Sequence, residues 1–464
     1  MAYSAIDKAA SHQNSVTYTG TGSSNAVTNV GFKPDWSWFK STGATYYHGL
    51  FDSVRGVDLR LSTNIRDGES SKPSALTSFD NDGFTLGSDT SNTTNTNSQG
   101  FVAWNWLAGG ATPSQTYVVK VVSDSGNKYR FDDFGTSAVT LDLQEGGTYT
   151  FDQSDSSNAG HPLRFYTASD KTGGEYTTGV TTNGTPGSSG AYTRITVAAS
   201  APTLYYQCSV HAAMGGQANT NSTHGSSNFS GSIQTKVSAN TTAGFSIVSW
   251  TGTGSNATIG HGLSAAPKVV ILKGRSNTDD WLFYHEDLNE SKTLWLNTNG
   301  FPKSASTYSS IFWNSTSPTS SVVSLGNNAA CNGSSQTYIA YCFTEIIGYS
   351  KFGTYIGNGS ADGPFVFTGF RPQFTILKTT SGTQNHFSMR DYARTPTNED
   401  GTALYANLTN ANDTGGGAIG VDFLSNGFKL RKTDSQINQN GSNYMFFSFG
   451  QPMVGSNDIP STAR

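Results

Sequence analysis

Gly31-Phe-Lys-Pro34-Asp-Trp-Ser-Trp-Phe-Lys40 decides the fold, because the chain writes this phrase three times. Gly262-Leu-Ser-Ala-Ala-Pro267-Lys-Val-Val-Ile-Leu-Lys273 and Gly369-Phe-Arg-Pro372-Gln-Phe-Thr-Ile-Leu-Lys378 repeat it, each placing Pro six positions ahead of Lys across an apolar run. Pro cannot donate to a β ladder and suits a strand entry, while the closing Lys is expected to return a charge to solvent. Upstream of each copy stands the form aromatic-x-Gly-x-Gly, as Tyr18-Thr-Gly-Thr-Gly22, Trp250-Thr-Gly-Thr-Gly254 and Tyr355-Ile-Gly-Asn-Gly359. Downstream, Asp82-Gly-Phe-Thr-Leu86 leads to Phe101-Val-Ala-Trp-Asn-Trp106, and Asn426-Gly-Phe-Lys-Leu430 leads to Tyr444-Met-Phe-Phe-Ser-Phe449. The middle copy closes with Tyr338-Ile-Ala-Tyr-Cys-Phe343 after Val322-Val-Ser-Leu325. Asp-Gly and Asn-Gly pairs suit tight hairpin turns, and closing strands apolar on both faces belong inside a domain. Self-similarity of this kind is read as a repeated module.

Composition agrees with an all-β chain. Only 13% of the 464 residues are charged, 12% are aromatic and 52 are Gly, which fits short aromatic strands joined by polar turns. The reading is of tandem antiparallel β-sandwiches at 1–110, 228–348 and 349–464, with a different sandwich inserted at 113–220; turn-rich boundaries lie at 108–113, 217–228 and 348–353. A net charge of −4 gives no basic footprint, so nucleic acid is not an expected partner. No apolar run reaches spanning length, so no membrane insertion is expected, and Met1-Ala-Tyr-Ser-Ala-Ile-Asp-Lys-Ala-Ala10 does not read as a secretory signal.

The insert carries the chain's most distinctive chemistry, Cys208-Ser-Val-His211-Ala-Ala-Met214, with His161 upstream. A thiolate, two imidazoles and a thioether are the set that copper selects, two His and the Cys forming a trigonal plane that a long axial Met completes. Cys208 follows the apolar and aromatic run Leu204-Tyr205-Tyr206, and His161 leads into Pro162-Leu163-Arg164-Phe165, so both sit at expected strand ends. Tyr-x-Cys-x2-His-x2-Met resembles the C-terminal ligand loop of the cupredoxins, in particular the amicyanin and plastocyanin group. The resemblance covers residues 113 to 220 and implies a Greek-key sandwich with a type 1-like copper site on His161, Cys208, His211 and Met214. Pro162 departs from the pattern, since copper carriers often place there an Asn that ties the two ligand loops together. The same residues also suit a sandwich that keeps the shape without the metal, with the two His hydrogen-bonded, Cys208 a small buried hydrophobe and Met214 filling a gap. Of the other cysteines, Cys331 and Cys342 are able to bridge, but Cys342 lies within an apolar strand and reads better as a buried thiol.

The outer copies resemble the tandem sandwich modules of marine bacteriophage structural proteins. The phrases carrying this are Gly31-Phe-Lys-Pro-Asp-Trp36, Leu50-Phe-Asp-Ser-Val-Arg-Gly56, Asp82-Gly-Phe-Thr-Leu-Gly87, Trp104-Asn-Trp-Leu-Ala-Gly-Gly110 and the terminal Ile459-Pro-Ser-Thr-Ala-Arg464. The resemblance implies a virion protein made in the host cytoplasm and working outside cells. It would be a tail fibre, tail-associated or capsid-decoration component that contacts other virion proteins, forms homo-oligomers, and touches a host glycan or receptor. Two other readings stay open, a copper-dependent redox protein and a lectin-like adhesin. No Gly-x-Ser-x-Gly elbow, Walker loop or His-Glu-x2-His helix occurs, and the carboxylates Asp279, Asp280, Glu286 and Asp287 read as solvated turn residues rather than a glycosidase pair, so no catalysis is expected.

Overall fold

The structure, a computed structural model, describes residues 4–288, 292–304, 306–415 and 419–454. The terminal phrase 459–464 lies outside the described residues. Strands dominate, as expected, in paired sheets.

The three outer copies share one topology. In the first, the large sheet runs Gln13–Thr19, Gly100–Trp106, Trp36–Ser41, Gly49–Asp52, Gly56–Leu61. The second repeats the order as Phe245–Thr251, Thr337–Phe343, Val269–Gly274, Leu282–His285, Lys292–Trp295. The third does so as Ser350–Ile356, Asn443–Pro452, Phe370–Thr379, Ser388–Asp391, Leu404–Tyr405. A smaller sheet covers one face of each, built on the hairpins Leu76–Asp80/Gly83–Leu86 and Val421–Leu424/Gly427–Leu430 in copies one and three. The hairpin glycines are demanded by close approach: a Cβ on Gly83 would sit 2.0 Å from the Val27 carbonyl oxygen, and one on Gly427 2.2 Å from that of Val366. The middle copy, whose Asn299-Gly300-Phe301 falls in the loop between Lys292–Trp295 and Lys303–Ser304 rather than in a small-sheet hairpin, has the helix Ser306–Trp313 beside its two-stranded sheet, with Phe312 and Trp313 in the core.

The other face of each large sheet is also buried, and this is what the closing strands' two apolar faces encode. The three faces meet in one core that joins Trp36, Trp104 and Trp106 to Ile271, Tyr341 and Phe343 and to Phe374, Phe447 and Phe449. Trp36 stacks on Tyr341 with ring centroids 4.4 Å apart, Phe343 meets Phe447 at 4.9 Å, and Trp106 meets Phe374 at 5.4 Å. Each contact crosses from one module to another, so the modules close on themselves rather than standing as beads.

Polar contacts close the same ring in one direction. Strand register makes Trp104, Tyr341 and Phe447 equivalent, and likewise Asp52, His285 and Asp391. Trp104 Nε1 of the first module donates to Asp391 of the third at 2.9 Å, and the Tyr341 hydroxyl of the second to Asp52 of the first at 2.8 Å. The third module offers Phe447, which has no donor, and the facing carboxylate is replaced by His285, whose Nε2 lies 3.4 Å from the Phe446 carbonyl oxygen. A buried carboxylate without a donor would be costly, so the two differences compensate.

The closing lysines overturn the sequence reading. Lys40, Lys273 and Lys378 are fully buried, not solvent-facing. Their ammonium groups donate to carbonyl oxygens at strand ends and on neighbouring modules: Lys40 to Ser41 and Thr409, Lys273 to Gly274 and Asn277, Lys378 to Thr379, Asn385 and Asn299. Burial lowers Lys40 to about 7, with Arg394 adding to the depression, and lowers Lys273 to about 8 and Lys378 to about 7. The folded state then releases protons that the unfolded chain keeps up to the ordinary 10.5. Stability should therefore rise with pH from about 7 towards 10, and fall as pH drops through the folded values. Denaturant midpoints measured across that window should climb, and Lys40→Met should remove up to about 1.4 kcal/mol per pH unit from the slope. A pH-independent midpoint in the parent protein would contradict this.

The insert is a two-sheet sandwich. A five-stranded sheet contains Ser114–Ser123, Thr148–Asp152 and Tyr192–Thr196, and a four-stranded sheet runs Leu141–Gln144, Gln217–Asn221, Leu204–Cys208, Leu163–Tyr166. Two pairings, 114–118 with 148–152 and 141–144 with 217–221, are parallel. The stretch 217–228, read as a linker, contributes Gln217–Asn221 to this sheet and Ser226–Asn228 to the next module. At the platform end the Tyr117 hydroxyl donates to the Ser227 carbonyl, Tyr149 and Ser226 share a hydroxyl contact, and His224 Nδ1 lies 2.5 Å from Asp35 of the first module.

Candidate metal centre

The ladder itself brings the predicted ligands together. Leu163 pairs with Cys208, so the loop entering one strand and the loop leaving the other emerge side by side. His161 stands just ahead of Leu163, at the end of a 3-10 turn Ser156–Asn158 capped by the Asp155 side chain. Its carbonyl accepts from the Tyr129 hydroxyl at 2.8 Å and from Gln153 Nε2 at 2.9 Å. Gln153 directly follows the strand Thr148–Asp152, whose other end holds Tyr149 and the platform contacts, so the ligand loops leave the insert at the end away from the platform.

Cys208 Sγ lies 3.9 Å from His161 Nδ1 and 3.6 Å from His211 Nδ1, and the three ligand atoms all fall within 4.8 Å of one another. A trigonal metal with bonds of about 2.0 Å to nitrogen and about 2.3 Å to sulfur requires N···S separations of about 3.7 Å. Both N···S separations therefore suit a bound metal. Cys208 is buried, His161 half-buried and His211 exposed, which shields the sulfur while leaving one imidazole edge open to solvent. Burial lowers the His161 imidazole, with His211 beside it adding to the effect, and this favours the neutral form a metal needs.

Met214, the fourth predicted ligand, is buried in the same apolar cluster as Cys208, and its carbonyl accepts the Tyr129 amide at 2.9 Å. Two backbone features hold the loop that delivers it. A Cβ on Gly215 would meet the Tyr206 carbonyl oxygen at 1.6 Å, and Ala213 takes a φ of 59°. Pro162, which lacks the side-chain amide expected of a loop tie, supplies the tie through its carbonyl, which accepts the Ser209 amide at 3.0 Å.

Several supporting residues had no signal in the sequence. Within the motif itself, the His211 amide donates to Cys208 Sγ at 3.4 Å. Lys171 Nζ reaches the carbonyls of Cys208, Ser209 and His211 at 3.1, 3.4 and 3.5 Å, and Lys128 Nζ that of Ala213. Burial pushes the Tyr129 phenol up, and the neighbouring Cys208 sulfur adds to the shift. Only the motif residues show a spacing; Lys128 and Tyr129 come from the strand Asn127–Phe131 and Lys171 from a separate loop. Cys331 and Cys342 are buried free thiols, each pushed up to about 12 by burial.

No curated protein and no solved structure matches the chain. The family model that matches covers residues 8–128 and 217–452, passing over 129–216, where all four predicted ligands lie. That match spans well over half of the sequence and every large-sheet strand of the three outer modules, and the chain belongs to the family described as a domain of unknown function, DUF7483.

Proposed function

We propose that this chain is a structural protein of a bacteriophage particle, carried on its surface as a tail-associated, fibre or capsid-decoration component. The observation that carries the reading is the common core. Three modules of one topology bury their large sheets against one another, which gives a stiff platform suited to bearing an appended domain. The insert stands on that platform by one end and carries its loops at the other. The sparsely charged, hydroxyl- and amide-rich composition suits a particle in salty surroundings, where surface charge is screened. In this reading the loops meet neighbouring virion proteins or a host surface, and no reaction is catalysed. Quantitative mass spectrometry of purified particles is expected to find the chain at many copies per particle. Its absence, or turnover of a sugar polymer by the isolated protein, would overturn the proposal.

A second reading is favoured by the His161–Cys208–His211 cluster: the insert is a cupredoxin-like copper-binding domain. Copper held there would supply one-electron chemistry. The chain's own part is to present two imidazoles and a thiolate at coordinating separations, hold the sulfur with the His211 amide, and bury it from water.

A further inference from the structure

Among the described residues, the first and third modules leave the same side of their sandwich without a covering strand. In the second module one extended segment, 231–240, closes the side where the two sheets part. Its strand Thr235–Asn240 adds to the large sheet along Phe245–Thr251. Just upstream it bonds to the small sheet: the Ile233 amide donates to the Thr258 carbonyl at 3.0 Å, the Ser232 amide to Thr258 Oγ1 at 2.9 Å, and Thr235 Oγ1 to the Gly260 carbonyl at 3.1 Å. The Ile233 side chain is buried in that module's core.

The third module has the same two strands, Ser350–Ile356 and Phe365–Phe367, and among the described residues no strand pairs with the outer edge of either. Ile259 lies opposite Val323 and Val366 opposite Phe428, so Thr258 and Gly260, which receive the covering segment in module two, correspond to Phe365 and Phe367. Here those positions are large, apolar and exposed, Phe365 at 45% and Phe367 at 57%, with Ile356 at 62% on the neighbouring strand. A cleft of about 340 Å³ is lined by Thr354, Phe365, Phe367 and Phe446, with Lys268 and Asp287 also on its lining. On the large-sheet edge the even-numbered residues turn their amides outward, as Phe352 does in donating to Glu345 Oε1 at 2.8 Å. The amides of Thr354 and Ile356 continue that row.

We propose that the third module binds an extended strand of a partner protein, paired with the edge of Ser350–Ile356 and lying over Phe365 and Phe367, as residues 231–240 lie over module two. The expected strand is of like chemistry: an apolar side chain turned into the cleft, flanked by hydroxyl and amide residues, with backbone bonds giving affinity and the inward side chain giving selectivity. Contiguous exposed apolar surface marks interaction sites, and aromatic anchors carry much of the binding energy where partners meet. Among the described residues, the segment of this form is already seated on module two, and the occupant is assigned to another molecule. This surface stands on the structure alone and needs neither the virion assignment nor the metal.

The test uses the full-length chain and a set of labelled peptides with the sequence 230–240, in which the Ile233 position carries Ile, Val, Leu, Phe or Trp. At least one is expected to bind by fluorescence anisotropy and to slow hydrogen exchange at the Thr354 and Ile356 amides. The double variant Phe365→Thr, Phe367→Gly, which installs module two's residues, should weaken that binding about tenfold or more while leaving the unfolding midpoint in place. Failure of every peptide to protect those amides, or binding indifferent to the double variant, would overturn the proposal. Sedimentation showing that the chain self-associates through Phe365 and Phe367 would assign the cleft to a second copy and overturn it equally.

Discussion

Trp36→Ala is expected to destabilise the whole three-module platform by about 3–5 kcal/mol, the range for emptying a buried aromatic site. Trp36 is fully buried, 4.5 Å from Trp106 of its own module, and stacked between modules on Tyr341 at 4.4 Å and Phe245 at 5.8 Å. The void would open where the first and second large sheets meet, and neither sheet has solvent there to move into. Urea unfolding followed by tryptophan fluorescence should show one cooperative transition, displaced as a unit. Hydrogen exchange should rise in Val269–Gly274 of the second module as well as in Trp36–Ser41 of the first. Loosening confined to the first module would mean that the modules are independent and the common core carries no energy.

Cys208→Ser is expected to abolish the response to copper. Titration of the parent protein with copper(II) should produce the intense visible absorption of a copper–thiolate bond, and the variant should stay colourless. The hydroxyl that replaces the thiol offers no soft anionic ligand, while His161 and His211 remain in place to bind weakly. Lys171→Met, which removes the ammonium bonded to three carbonyls of the ligand loop, should weaken copper binding by about tenfold or more without removing the band. A folded parent protein that stays colourless throughout the titration would leave the three-residue geometry intact and remove its chemistry.

Much of this was legible in the sequence because it is local. The Pro-to-Lys strands, the aromatic-x-Gly-x-Gly entries and the Cys208–Met214 loop are short phrases whose period or spacing reports their structure directly. What escaped depends on groups distant in the chain. Lys40 reads as a solvent-facing strand end until Thr409, 369 residues away, supplies a carbonyl for it. The double-sided apolar strands were assigned to sandwich interiors, but a second sandwich layer accounts for one face only, and the other face is explained by two further modules. At the candidate centre the predicted ligands share a motif with a readable spacing, whereas Tyr129, Gln153 and Lys171 bond to backbone carbonyls and leave no pattern. In the middle copy the same short phrase, Asn299-Gly300-Phe301, joins Lys292–Trp295 to Lys303–Ser304 on the large sheet, and the helix Ser306–Trp313 follows, so the phrase reports a turn without saying which sheet it serves.

The proposed role is tested most directly by imaging purified particles at a resolution that traces side chains. Density for this chain is expected on the outer surface, in symmetry-related copies, with the three modules closed around Trp36, Tyr341 and Phe447 and the insert directed outward from the platform. Particles that are complete and infectious yet hold no such density would contradict it.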